Sequence, residues 1–261
     1  MHTRFGWTAA VMLLWLAPGS PDVKTREVEY RQGDTVLQGF LAWDDAQQGK
    51  RPGVVVVHEW WGLTDNMRAK ARRLAEAGYV AFALDLYGKG KVAAHPQEAQ
   101  AFNAEAMKDP AIVAARFNAG LEQLKRDPHV DSTRIVAIGY CMGGSVALDM
   151  ARAGADLAAV VTFHGALATK TPAQPGKVKA RLLVLTGGAD PFIPPEQVEA
   201  FRHEMQTAGV HFEVVSYPGA RHGFTNPDAG TFGMPQLAYD AEADRQSWAA
   251  MLKFLREVVP S

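Results

Sequence analysis

The chain has 261 residues, 48% of them apolar, and sets 27 Lys and Arg against 28 Asp and Glu, for a formal net charge of −1. This length holds a domain with a sizeable core, and this composition excludes a disordered chain. Neither a basic excess nor a basic cluster with interleaved aromatics marks a nucleic-acid partner, and a single cysteine excludes an internal disulfide or a Cys-rich zinc site.

Met1 to Ser20 reads as a secretory signal. Arg4 supplies the positive start, Phe5 to Ala17 the apolar core, and Ala17-Pro18-Gly19 a small-x-small cleavage site. The apolar run is short for a membrane span, so an uncleaved N-terminal anchor is the alternative. The expectation is a secreted or periplasmic protein, with residues 21–261 as one domain that holds no stable membrane partner.

Val23 to Arg31 and Thr35 to Trp43 alternate in polarity around the turn Gln32-Gly33-Asp34, which predicts an antiparallel hairpin at a sheet edge. Gly53 to Val57 is a strand buried on both faces, ending in His58-Glu59-Trp60-Trp61-Gly62. Thr64 is placed to cap a helix running to about Ala77, with Met67, Ala71 and Leu74 at helical spacing. Tyr79 to Leu84 is the next strand and leads into Asp85-Leu86-Tyr87-Gly88-Lys89-Gly90. Two helices follow, His95 to Met107 and Ala111 to Lys125, punctuated by Pro110 and Pro128.

From Arg134 a strand runs through Ile135 to Ile138 into Gly139-Tyr140-Cys141-Met142-Gly143-Gly144, then a helix to about Ala153. Leu157 to Phe163 is a strand ending at His164-Gly165, and Arg181 to Leu185 is another, ending in Gly187-Gly188-Ala189-Asp190-Pro191. A helix spans Pro194 to Ala208. The last strand, Phe212 to Tyr217, leads to Arg221-His222-Gly223-Phe224. The Gly/Pro-rich loop Asn226 to Gln236 is expected to border the pocket, and a final helix runs from Tyr239 to Val259. Strands alternating with helices predict an α/β fold: a mostly parallel, doubly wound sheet with helices on both faces and an antiparallel hairpin at its N-terminal edge.

Gly139-x-Cys141-x-Gly143 between a strand and a helix has the form of a nucleophile elbow, with Cys in place of Ser. The glycines give room for a tight turn, and the helix N-terminus offers free N–H groups and a positive dipole end that favour a thiolate. A lone cysteine is more often a small buried hydrophobe. The other strand ends argue otherwise, because ligands bind along the edge that strand ends of such a sheet share. Glu59, Cys141, Asp190 and His222 all fall there. Nucleophile, acid, histidine is also the chain order of the α/β hydrolases. Taken singly, Asp190 reads as an Asp-Pro turn opening a helix and His222 as a loop histidine. His58 and His164 also end strands; lacking the order, they are expected to be buried hydrogen-bonding groups.

With the segments His58 to Gly62, Asp85 to Tyr87, Gly139 to Gly144, Ala189 to Pro191 and Arg221 to Phe224 in hand, the chain from Thr25 onward resembles the dienelactone hydrolase (carboxymethylenebutenolidase) family of α/β hydrolases. The resemblance implies Cys141 as nucleophile, His222 as base, Asp190 as its orienting partner and Glu59 as an accessory in forming the thiolate. It also implies the backbone N–H groups of Trp60 and Met142 as the oxyanion hole. The reaction implied is attack on an ester or lactone carbonyl, an acyl-thioester, and release by water, with a small-molecule substrate and neither cofactor nor metal.

Two positions depart from the family pattern. Where family members that act on dienelactone carry arginines for the substrate carboxylate, this chain has Lys89 and Asn226. Lysine keeps the charge without the bidentate fork, and asparagine supplies no charge. The departures point to a different substrate more than to loss of ester cleavage. A thioesterase or broad carboxylesterase on the same three residues is the nearest alternative. A non-catalytic ligand-binding relative is another, but such a protein has no need to keep all three positions.

Overall fold

Residues 20–260 are described by a computed structural model, so the expected signal segment lies outside the described residues except for Ser20. The strands are β1 (Val23–Gln32), β2 (Thr35–Asp44), β3 (Arg51–Val57), β4 (Val80–Leu84), β5 (Val130–Tyr140), β6 (Ala159–Phe163), β7 (Arg181–Gly187) and β8 (Phe212–Tyr217). They form one sheet in the order β1-β2-β4-β3-β5-β6-β7-β8. β1 and β2 pair antiparallel across the two-residue turn Gly33-Asp34, where Gly33 takes φ 55°. β2 also runs antiparallel to β4, and every pair beyond that is parallel. The hairpin therefore sits at the sheet edge, as its alternating pattern requires.

The central strands are apolar on both faces because both faces are covered. Val54 and Val56 face one side and Val55 and Val57 the other, all four fully buried. Each contributes roughly 1.5–3 kcal/mol relative to exposure. Helices α1 (Asp65–Glu76) and α6 (Ala241–Val258) cover the first face through Met67, Ala71, Leu74, Trp248, Met251 and Leu255. On the second face lie α3 (Pro110–Arg126), α4 (Met142–Arg152) and α5 (Pro195–Thr207), packed through Phe117, Leu121, Val146, Phe201 and Met205. Helix α2 (Pro96–Ala106) lies at the margin.

Several details at element ends differ from the sequence expectation. β5 begins at Val130 rather than Arg134, with a register shift where its partner β3 passes from Pro52 to Gly53. The Asp131 carboxylate accepts from Thr133 N at 3.1 Å and Arg134 Nε at 2.7 Å, a polar kink that hides the strand from a pattern search. Thr64 occupies the N-cap of α1 in an extended conformation, but its hydroxyl makes no capping bond. α6 starts at Ala241, not Tyr239, because the Asp240 carboxylate caps it, accepting from Glu242 N at 3.1 Å and Ala243 N at 3.0 Å. A 3-10 turn, Ala229–Phe232, lies inside the long loop after β8. Among the described residues no helix is long and apolar enough to cross a membrane.

Candidate active site

The C-terminal ends of β3, β5, β7 and β8 bring Glu59, Cys141, Asp190 and His222 to one edge. Cys141 stands on the turn between β5 and α4 with φ 53° and ψ −120°, a conformation that costs a non-glycine residue on the order of 1–3 kcal/mol. Its surroundings enforce it. Cys141 N–H donates to Phe163 O at 2.9 Å, and Cys141 O accepts from Gly144 N at 3.0 Å and Ser145 N at 3.3 Å. A Cβ on Gly139 would strike the Gly143 carbonyl, and one on Gly143 would strike the carbonyls of Val57 and His58. The helix can start directly over β3 and β5 only with glycine at those two places.

His222 lies between sulfur and carboxylate. Its Nε2 is 3.1 Å from Cys141 Sγ, and its Nδ1 is 2.8 Å from Asp190 Oδ2. The other oxygen of Asp190 accepts from Phe192 N at 2.9 Å. One oxygen of this carboxylate thus serves the turn and the other meets the His222 ring. Burial pushes the His222 pKa down. The charge on Cys141 and the hydrogen bonds to Asp190 and Cys141 outweigh that and raise it to about 10. A ring so protonated donates from both nitrogens, to oxygen on one side and sulfur on the other. Phe192 and His164 pack edge-on against it, at centroid distances of 5.0 and 5.1 Å.

The two other strand-end histidines are buried hydrogen-bonding groups. His58 Nε2 accepts from Leu86 N at 3.1 Å, which leaves the proton on Nδ1 to reach Glu59 O at 2.6 Å. His164 Nε2 meets Thr225 Oγ1 at 2.9 Å. Burial holds both rings below the ordinary histidine pKa, and His222 and Lys70 add repulsion at His164.

Glu59 is 2% exposed. Burial raises its pKa to about 7, opposed by Lys70, His222, Asn226 and Asn66. Asn226 Nδ2 donates to Glu59 Oε2 at 2.8 Å. Glu59, Cys141, His222 and Asn226 border a common internal gap of about 10 Å³, while the hydrogen bond of the sulfur goes to His222. Behind this group, buried Lys70 donates to Thr225 O at 3.0 Å and Asp244 Oδ1 at 3.1 Å. That pair fixes the corner that carries both Thr225 and Asn226. The signal was present in the spacing, since position 70 falls on the same helix face as Met67, Ala71 and Leu74, but a lysine is not an expected core residue and is passed over on that ground.

Trp60 and Met142 flank Cys141. The Tyr87 hydroxyl donates to Trp60 O at 2.9 Å and lies 3.3 Å from Met142 Sδ, tying the two segments together. The amide of Met142 opens α4 and has no carbonyl one turn earlier to accept from it.

Over Cys141 opens a cavity of about 470 Å³ whose walls include Trp60, Met142, Phe192, Met234 and Leu237. Met234 belongs to the loop expected to border the pocket. Leu237 closes that loop by pairing with His222. Among the described residues no lysine or arginine lines the cavity. Lys89, expected near substrate, lies off its wall. Its N–H is tied to Val36 O at 2.9 Å and its Nζ pairs with Glu29 Oε2 at 2.5 Å on the hairpin. Asn226, the other such position, is turned onto Glu59 instead of the cavity. Asn103, Met107, Ser145 and Val146 do line it, and sequence gave no sign of them because such residues at helical spacing read as ordinary packing. Among the described residues no cluster of His, Cys, Asp and Glu has the form of a metal site.

Known proteins share this fold. The pattern of the dienelactone hydrolase family matches residues 37–259. A dienelactone hydrolase-like promiscuous phosphotriesterase, P91, from metagenomic libraries is 37% identical, with a TM-score of 0.84 over 91% of this chain and 99% of its own. A structure named m3DLH is 40% identical, with a TM-score of 0.85 over 92% of this chain and all of its own. A Yersinia pestis protein named provisionally as a carboxymethylenebutenolidase is 30% identical over 237 residues, 87% of this chain and 85% of its own. The chain belongs to the dienelactone hydrolase family and has the α/β-hydrolase fold.

Proposed function

We propose that this family's hydrolase chemistry runs here through Cys141 as nucleophile, His222 as proton carrier and Asp190 as its orienting partner, on uncharged carboxylic esters and lactones. The observation that carries the reading is the bridging ring of His222, 3.1 Å from Cys141 Sγ and 2.8 Å from Asp190 Oδ2. The thiolate is the nucleophilic form of cysteine, and an adjacent imidazole supplies it by taking the proton. The sulfur attacks the carbonyl carbon, and its oxygen becomes an oxyanion facing the N–H groups of Trp60 and Met142. Each such donor contributes ~3–4 kcal/mol in comparable sites.

On collapse, the C–O bond to the leaving group breaks and His222 Nε2 gives that oxygen its proton. An acyl-thioester on Cys141 remains. The ring, now neutral, takes a proton from water as the water attacks the thioester. The second intermediate expels the thiolate and the carboxylic acid departs. Asp190 keeps the Nδ1 proton in place throughout and offsets the imidazolium charge.

The absence of Lys and Arg from the cavity wall supports an uncharged substrate over one bearing a carboxylate beside the reacting bond. A wall without cations also suits a neutral phosphotriester, and the P91 relative carries that activity in its name. Phosphotriester turnover is therefore a second reading for the same nucleophile. The test of the first is p-nitrophenyl acetate hydrolysis before and after stoichiometric iodoacetamide, with Cys141→Ala alongside. Activity is expected to vanish in both; turnover surviving in Cys141→Ala would overturn the reading. The apolar run Phe5 to Ala17 supports a further proposal, export of the chain, tested by sequencing the N-terminus of the protein isolated from its host.

A further inference from the structure

The cavity over Cys141 does not end at the first turn of α4. Val146, Asp149 and Met107 line it and also line a second hollow of about 640 Å³, whose floor continues through Met150 to Ala153. On α4, positions 142, 145, 146, 149, 150 and 153 are spaced i, i+3, i+4, i+7, i+8 and i+11, one stripe along a single face. Eleven residues of helical rise make a trench about 16 Å long with Cys141 at its head. One wall is the start of α3, with Pro110, Val113 and Ala114; the other is the segment from Ala168 to Thr171.

Most of the trench wall is apolar, from Met107, Pro110, Val113 and Ala114 on one side to Val146, Met150 and Ala153 on the floor. Asp149 is the ionised group common to both hollows, and its Oδ1 is held by Arg152 Nη1 and Thr169 Oγ1, each at 3.0 Å; Lys170 stands on the loop wall of the second hollow, away from the first. A long, mostly apolar groove that opens onto a reacting sulfur is shaped for an apolar chain. The direction also follows. His222, Phe192, Met234 and Leu237 line the first cavity and none lines the second. A leaving group departs beside His222, so the arm on the opposite side takes the acyl substituent.

We propose that the trench along α4 holds the acyl chain of the substrate, and that the preferred substrates are esters of medium- to long-chain unbranched carboxylic acids. The proposal rests on the reading of Cys141 as nucleophile. It is tested with p-nitrophenyl esters from acetate to dodecanoate, kept below their aggregation concentrations, on the full chain and on Ala114→Trp and Ala168→Trp. These two positions line only the second hollow, on opposite walls, and Ala168 lies on an exposed loop where a large side chain leaves folding intact.

For the unsubstituted chain, kcat/KM is expected to rise with acyl length, by up to roughly fourfold per methylene buried, and by at least tenfold in all between butyrate and decanoate. Both tryptophan variants are expected to keep acetate turnover within twofold while losing at least tenfold on decanoate. Decyl acetate, with the same carbons in the alcohol, is expected to show no such gain. A flat or falling profile beyond butyrate, an equal rise in both tryptophan variants, or a larger gain for decyl acetate overturns the proposal. Binding of decanamide, followed by calorimetry, reads the trench without turnover and is expected to weaken at least tenfold in both variants; unchanged binding overturns the proposal. Acetate turnover persisting in Cys141→Ala overturns the nucleophile reading instead, so the two failures are distinguishable.

Discussion

Asn226 donates from Nδ2 to Glu59 Oε2 at 2.8 Å, joining the loop that follows His222 to the end of β3 inside a region closed to water. The carboxyl held there titrates near 7 because burial disfavours its charge. In the unfolded chain an ordinary glutamate titrates near 4.5. Between these values the folded chain keeps a proton that the unfolded chain has released, so this group makes stability fall as pH rises through that window. The full effect is about 3 kcal/mol. Urea unfolding at pH 4.5 and pH 8 is expected to show that decline in the unsubstituted protein and a weaker one in Glu59→Gln. Identical pH dependence in both would contradict the assignment.

The His222 pKa of about 10 depends on a negative sulfur beside it. Alkylating Cys141 with iodoacetamide replaces that charge with a neutral thioether. Nitrogen-15 spectra of the ring at pH 8 are expected to show both nitrogens protonated before the reaction and a lower pKa after it. A pKa unmoved by alkylation would mean that the sulfur does not govern the ring.

Lys70 is a buried cation whose pKa is lowered by burial despite the opposing pull of Asp244. Lys70→Ala takes the cation from the Asp244 carboxylate, which keeps the Tyr239 hydroxyl at 3.4 Å, and orphans the Thr225 carbonyl; removal of one partner from such a pair costs about 3–5 kcal/mol. Lys70→Met with Asp244→Leu is expected to recover most of that loss, because no charge is then left unpaired. Chemical denaturation of the three proteins measures it; equal stability of Lys70→Ala and the unsubstituted chain would contradict the role.

Gly143 allows α4 to start against the carbonyls of Val57 and His58. In Gly143→Ala the new methyl forces the helix start outward, and such overpacking costs about 1–3 kcal/mol. Movement of Cys141 away from His222 is expected to cost more in kcat than the variant loses in stability. Retention of more than half the activity would show that the elbow tolerates the shift.

The sequence was most legible where one physical constraint dominated. A run of four valines bounded by polar ends reads as a strand covered on both faces, and strand-end placement together with chain order grouped Cys141, Asp190 and His222. It was least legible where one side chain serves backbone geometry. The polar kink made by Asp131 concealed the start of β5, and the cap by Asp240 moved the start of α6. Position-for-position transfer put Lys89 and Asn226 at the substrate. A backbone bond to Val36 turns the first toward Glu29, and a buried carboxylate claims the second. The trench was invisible, because Val146 and Met150 satisfy helical spacing whether they meet another helix or an empty channel.

Sulfur and ring are 81 residues apart along the chain, on opposite flanks of β6 and β7 in the order of strands. A nascent or partly folded copy therefore carries an unassisted thiol, with no base within reach. The pairing of sulfur with ring is complete only when the last parallel strand docks, so a change in the rate of thiol labelling during refolding reports completion of the sheet.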